Sequence, residues 1–114
     1  KSEYEYTHHV RLGTEQFGVT EDDINAITLE TNGKKSSLPK LEQTILRATR
    51  DMVTNLKIID TDFEFLKGYL SNEHLIDLVL TISFYCGVVR VLATLEIDNE
   101  PHYKEVLEKF PLSK

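Results

Sequence analysis

The chain has 114 residues, 40% of them hydrophobic and 28% charged, which is typical of one soluble globular domain and excludes a disordered chain. Its net charge of −6 argues against a nucleic-acid partner, because a nucleic-acid surface needs clustered Lys and Arg. The single cysteine, Cys86, excludes an intrachain disulfide, a Cys-based zinc site and a CxxC redox pair. It is also consistent with a cytoplasmic location, where thiols stay reduced.

The first third of the chain carries the signals of two helices. Tyr4 to Phe17 is the first, and Gly18 stands where a C′ glycine would end it. Thr20 is the predicted N-cap of the second helix. Asp23, three residues later, stands where the acidic residue of a capping box would be. The second helix should stop at the turn pair Asn32-Gly33.

Apolar residues at helical spacing predict two further helices in the middle of the chain. Pro39 fits the first turn of the third helix, which continues to Leu56. Asp60 or Thr61 caps a short fourth helix, whose inner face includes Leu66.

The fifth helix, about Asn72 to Glu96 with Ser71 as its cap, is the longest and most apolar. Its longest uncharged run has 12 residues, below the roughly 18 that span a bilayer, so we expect a buried core helix and no membrane partner. Apolar residues on all its sides predict burial on all sides, and in so small a chain this indicates a homo-oligomer. A last short helix runs from Pro101 to Phe110. The prediction is an all-α fold of five to six helices in a single domain, residues 1–114.

Two motifs near the N-terminus resemble the signature region of a known family. The first is Ser-Glu-Tyr-Glu-Tyr-Thr-His-His over residues 2–9, and the second is Gly-Val-Thr-Glu-Asp-Asp-Ile over residues 18–24. In this order and spacing they resemble the carboxymuconolactone decarboxylase family, which includes the alkylhydroperoxidase D-like proteins. Later positions with a similar arrangement are Leu46, Ala48, Asp51, Ser71, Leu75, Val79 and the pair Phe84-Tyr85. The resemblance covers most of residues 2–98.

The resemblance implies a helix bundle of the alkylhydroperoxidase D-like type that forms a trimer or hexamer, acts on a small acid or lactone and needs no cofactor. It also implies that the helices that usually precede the signature are lacking. The peroxidase branch of the family carries Cys-x-x-Cys-x-x-x-His. Here Ser2 and Glu5 stand where the cysteines would be, and His9 stands where the His would be. Because a thiolate is needed to attack a peroxide, the thiol chemistry of that branch is not expected.

The pair Glu5 and His9 is the candidate catalytic group. At i, i+4 on a helix, a carboxylate can orient an imidazole and favour its charged form, which suits general acid–base catalysis. We assign His9 as the acid or base, Glu5 as its orienting group, and Ser2, Tyr6 and Tyr85 as substrate-binding residues. The alternative is an exposed ion pair that contributes about 0.2–0.5 kcal/mol to helix stability.

The remaining chemistry-bearing residues have structural interpretations. His8 and His9 point about 100° apart on a helix, so we expect no metal site. Cys86 lies in the most apolar helix and is expected to be a buried, small hydrophobic residue. Three functions stay open: an acid–base enzyme of decarboxylase or lyase type, a thiol-based hydroperoxide reductase, and a non-catalytic oligomeric protein of the same fold.

Overall fold

A computed structural model describes residues 2–112, and within them all regular structure is helical. The α-helices are α1 (Glu3–Gln16), α2 (Glu21–Thr31), α3 (Lys40–Asn55), α4 (Asp60–Tyr69), α5 (Asn72–Thr94) and α6 (Lys104–Lys109), with a 3₁₀ turn at Pro101–Tyr103. The prediction of an all-α chain is confirmed.

Local hydrogen bonds explain where the first two helices begin and end. Gly18, at φ +69°, follows the last residues of α1 in the left-handed conformation that glycine adopts readily. The Thr20 hydroxyl accepts the Asp23 amide at 3.1 Å, and the Asp23 carboxylate accepts the Thr20 amide at 2.8 Å. The second bond, with a further one from the Thr20 hydroxyl, holds the pKa of Asp23 below its usual value. The predicted capping box is confirmed.

The connection between α3 and α4 differs from the prediction. Neither Asp60 nor Thr61 caps α4: the N-cap is Ile59, which offers no side-chain acceptor, and Asp60 is already the first helical residue. One turn earlier, α3 ends at Leu56 in the left-handed conformation, with φ +70°. A leucine is unfavourable there, so no capping residue marks this boundary, although the apolar spacing predicts it at Leu56.

The described residues divide into two compact units. The first contains the residues up to Ser36 and those from Val89 onward, and the second contains Ser37–Val88. In the second unit, Ala48 and Leu66 are fully buried and form a core with Ile58 and Leu75. This cluster joins α3, α4 and the start of α5 through apolar contact.

A bidentate ion pair supports the same α3–α4 packing. Arg47 Nε donates to Asp62 Oδ2 at 3.0 Å, and Arg47 Nη2 donates to Asp62 Oδ1 at 2.9 Å. Arg47 Nη2 also donates to the fully buried Thr44 hydroxyl at 3.0 Å. Because Asp62 is buried, losing its carboxylate leaves part of this network without an acceptor.

We expect Asp62→Ala to lower the free energy of unfolding by about 1.5–3 kcal/mol, the value of buried hydrogen bonds to charged groups. Asp60→Ala is the matched control, because Asp60 pairs with Lys57 on an exposed surface and should cost less than about 1 kcal/mol. Urea unfolding followed by circular dichroism measures both. Equal losses for the two variants would contradict the structural importance of the Arg47–Asp62 pair.

The prediction that α5 is buried on all sides is wrong for the single chain. Only Leu75 and Ile82 of α5 are buried, and Ile76, Leu80 and Phe84 are exposed. Because a lone chain of this size cannot surround a 23-residue helix, most of the apolar surface of α5 is open. By length and composition α5 is apolar enough to cross a membrane, and a single helix of this kind does not by itself indicate a membrane protein.

Candidate functional site

Helix α1 places Glu5 and His9 one turn apart and in contact. His9 Nδ1 lies 2.8 Å from the Glu5 backbone carbonyl oxygen and 3.3 Å from Glu5 Oε2. Both oxygens accept hydrogen bonds, so Nδ1 carries the proton and the neutral ring has its basic lone pair on Nε2. The sequence prediction of an i, i+4 contact is confirmed.

The two side chains differ in their exposure to solvent. The Glu5 side chain is 19% exposed, whereas the His9 side chain is 51% exposed. A carboxylate held in this way can fix the tautomer of the ring, and a ring exposed to this extent can meet a dissolved substrate. The arrangement is therefore able to exchange a proton with a small molecule. The same geometry also occurs in i, i+4 ion pairs on exposed helix surfaces that have no catalytic role.

Ser2 and Tyr6 lie on the same α1 segment in different environments. Ser2 is the N-cap of α1, and its hydroxyl accepts the Glu5 amide at 3.3 Å. This bond ties the Ser2 side chain to the first turn, next to the catalytic candidate. Burial raises the pKa of the Tyr6 hydroxyl, so this group stays protonated at neutral pH and can donate a hydrogen bond.

Tyr85 and Cys86 belong to the second unit, whereas Glu5 and His9 belong to the first. The Tyr85 ring packs edge-on against its neighbour Phe84, with 5.5 Å between the ring centroids. Cys86 is half-buried rather than buried, because the turns of α5 around it are only partly covered.

The structure also gives His8 a set of contacts that the sequence did not indicate. The His8 ring stacks between Tyr4 and Tyr103, with centroid distances of 4.1 Å and 3.9 Å. Its Nδ1 donates to the Tyr4 carbonyl oxygen at 2.8 Å, and its Nε2 lies 3.5 Å from Glu100 Oε2. The spacing of Tyr4 and His8 was visible in the sequence, but Tyr103 and Glu100 are distant in the chain and carry no local signal.

A groove of about 610 Å³ lies beside this stack in the first unit. Val10, Val19, Val106 and Phe110 give it an apolar lining. Its volume is in the range of small-molecule sites, but none of the predicted site residues lines it.

Comparison with protein-family models, with curated proteins and with solved structures gives no match. Within residues 2–112, no three His, Cys, Asp or Glu side chains converge in a way that would hold a metal ion.

Proposed function

We propose that the chain is a cofactor-free acid–base enzyme of the carboxymuconolactone decarboxylase type, acting on a small acid or lactone. One observation carries the proposal: the Glu5 backbone and carboxylate oxygens both meet His9 Nδ1, at 2.8 Å and 3.3 Å. A general base needs a fixed tautomer, and this contact supplies it. The His9 side chain is 51% exposed.

In the proposed decarboxylation, the bond between the carboxylate and the carbon next to a carbonyl group breaks, carbon dioxide leaves, and the electron pair of the bond forms an enolate. Protonated His9 Nε2 then gives a proton to that carbon; where no carbon dioxide is lost, neutral His9 forms the enolate by taking a proton from the same carbon. Glu5 stabilises the imidazolium in either direction, because an opposite charge at this distance favours the charged ring. Tyr6, which stays protonated at neutral pH, is the donor in our assignment for the substrate oxygen on which negative charge develops. Ser2 keeps the first turn of α1 in place while the charge on His9 changes.

A substrate screen tests this proposal. Wild-type protein and His9→Gln are incubated with a panel of small unsaturated lactones, β-keto acids and their decarboxylation products, and ring opening or carbon dioxide release is followed. Turnover by the wild type that is lost in the variant supports the proposal. Turnover that persists in His9→Gln, or none on any member at high enzyme concentration, contradicts it.

The exposed apolar face of α5 supports a proposed homo-oligomer. The family resemblance implies a trimer or hexamer, and the single cysteine is consistent with the cytoplasm. Ile76, Leu80, Phe84 and Val91 fall within a stripe about 80° wide on this helix, and each is 57–66% exposed. Together they offer roughly 400 Å² of apolar area, about half of what one partner contributes to a stable interface. The same face supports the second candidate function, a non-catalytic oligomeric protein of this fold, in which Glu5 and His9 form only a surface ion pair.

The third candidate, a thiol-based hydroperoxide reductase, is disfavoured by the chemistry of the residues. Cys86 is the single cysteine, so no second thiol of the chain can resolve a sulfenic acid. We expect Cys86→Ser to change turnover of any substrate by less than about twofold, and native Cys86 to react with a thiol reagent at least about tenfold more slowly than free cysteine. Rapid peroxide reduction that disappears in Cys86→Ser would contradict this.

A further inference from the structure

The segment Asn99–Lys109, which we name the C-terminal arm, is fastened to α1 by polar and aromatic contacts. The hydroxyl of the fully buried Thr7 lies 3.0 Å from Asn99 Oδ1. His8 meets Glu100 and stacks on Tyr103. At the far end of the arm, Lys109 forms an ion pair with Glu21 at the start of α2.

His8 is the central contact, and both of its ring nitrogens face acceptors. Nδ1 faces the Tyr4 carbonyl oxygen at 2.8 Å, and Nε2 faces Glu100 Oε2 at 3.5 Å. A protonated ring donates to the carbonyl oxygen and attracts the carboxylate by its charge. A neutral ring donates to the carbonyl and turns the Nε2 lone pair toward the carboxylate, so one attractive contact is replaced by a repulsive one.

The tyrosine faces around His8 act in the same direction, and the charge of the nearest arginine is paired. The faces of Tyr4 and Tyr103 cover both sides of the ring at about 4 Å, and aromatic faces attract a cation. Arg11 lies 5.5 Å from the Tyr103 centroid, and its charge is paired with Glu15 at 2.9 Å. The His102 ring touches Tyr103 at 4.4 Å.

We propose that His8 is a proton-operated clamp that fastens the C-terminal arm to α1 and thereby holds one wall of the groove in the first unit. That wall is formed by the arm residues Val106 and Lys109 and by Phe110 just beyond them, opposite Val10 and Thr14 of α1. The clamp is closed where His8 is protonated and Glu100 is ionised. It loosens when either of these two charges is lost. Loosening the arm opens the groove to solvent and to ligands.

Hydrogen exchange of the full chain tests the clamp without requiring any activity. Amide protection of the peptides covering residues 99–110, corrected for the intrinsic exchange rate, is measured from about pH 8 to about pH 5.5. We expect wild-type protection to rise about tenfold over this range, and Glu100→Gln and His8→Gln to abolish the rise. His74→Gln is the control, because His74 is an exposed histidine of the second unit and should leave the rise intact.

If His8→Gln disturbs the folding of α1, Glu100→Gln still tests the clamp. Glu100 lies on an exposed loop outside every helix, so its replacement should not disturb a helix.

The near-UV circular dichroism of the tyrosines provides a second measurement, since Tyr4 and Tyr103 are ordered by the stack. A flat wild-type exchange profile, or a rise that survives in Glu100→Gln, would overturn the proposal. Neither result depends on the Glu5–His9 reaction, so the two proposals fail separately.

Discussion

His9→Gln is expected to lower turnover about 10²–10⁴-fold and to leave the fold intact. A loss of this size is the usual contribution of a positioned acid or base to the rate. Glutamine keeps a polar side chain of similar reach but cannot exchange a proton. Because the His9 side chain is half-exposed, its replacement removes little packing. The measurement compares kcat and KM of the two proteins, with circular dichroism and urea unfolding as the check on structure.

Two neighbouring variants make this result specific. Glu5→Gln should lower kcat less than His9→Gln, because orientation of the ring is weakened while the proton carrier remains. His8→Gln should leave turnover close to that of the wild type, since its ring points into the Tyr4–Tyr103 stack rather than toward Glu5. A larger loss of turnover in His8→Gln than in His9→Gln would shift the catalytic assignment by one residue and contradict the resemblance on which it rests.

The helix ends show what local sequence can specify. The Thr20–Asp23 box, the Ser71 cap that accepts the His74 amide, and the left-handed Gly33 after α2 all depend on residues within four positions of one another. Such signals can be recognised without knowing the fold. The N-cap of α4, Ile59, was not predicted for the complementary reason: its side chain makes no capping hydrogen bond, and Leu66 of this helix packs in one cluster with Ala48 of α3.

The candidate site shows the same division. The Glu5–His9 contact lies within one helical turn and could be predicted from spacing alone. The contacts of His8 could not, because they depend on the arm folding back on α1, and Arg47–Asp62 likewise joins two helices. For α5, the hydropathy of the sequence indicates that the helix surface is covered. It does not specify whether the same chain, another copy of the chain or lipid covers that surface.

Leu80→Asp with Phe84→Asp is expected to convert an oligomer into a folded monomer of 13.1 kDa. These residues are 61% and 66% exposed in the single chain, so the substitutions leave the protomer core untouched. In an oligomer each covers about 100 Å² of apolar surface, worth about 2.5 kcal/mol, and each new carboxylate would be buried without a partner. The association constant should therefore fall more than about 100-fold, as measured by sedimentation velocity at micromolar concentration.

Thr81→Asp is the matched control for this test, because Thr81 is exposed on the same helix but lies outside the stripe of Ile76, Leu80, Phe84 and Val91. It adds a similar charge to α5 and should leave the oligomer assembled. A wild-type chain that sediments as a folded monomer in buffer would contradict self-association through α5. A wild-type chain that dissolves only with detergent, and becomes soluble in the double variant, would instead indicate that lipid covers the stripe. The pair of variants thus separates the three ways in which 23 residues of largely exposed apolar helix can be accommodated: by a second copy, by a bilayer, or by water at a cost of several kcal/mol.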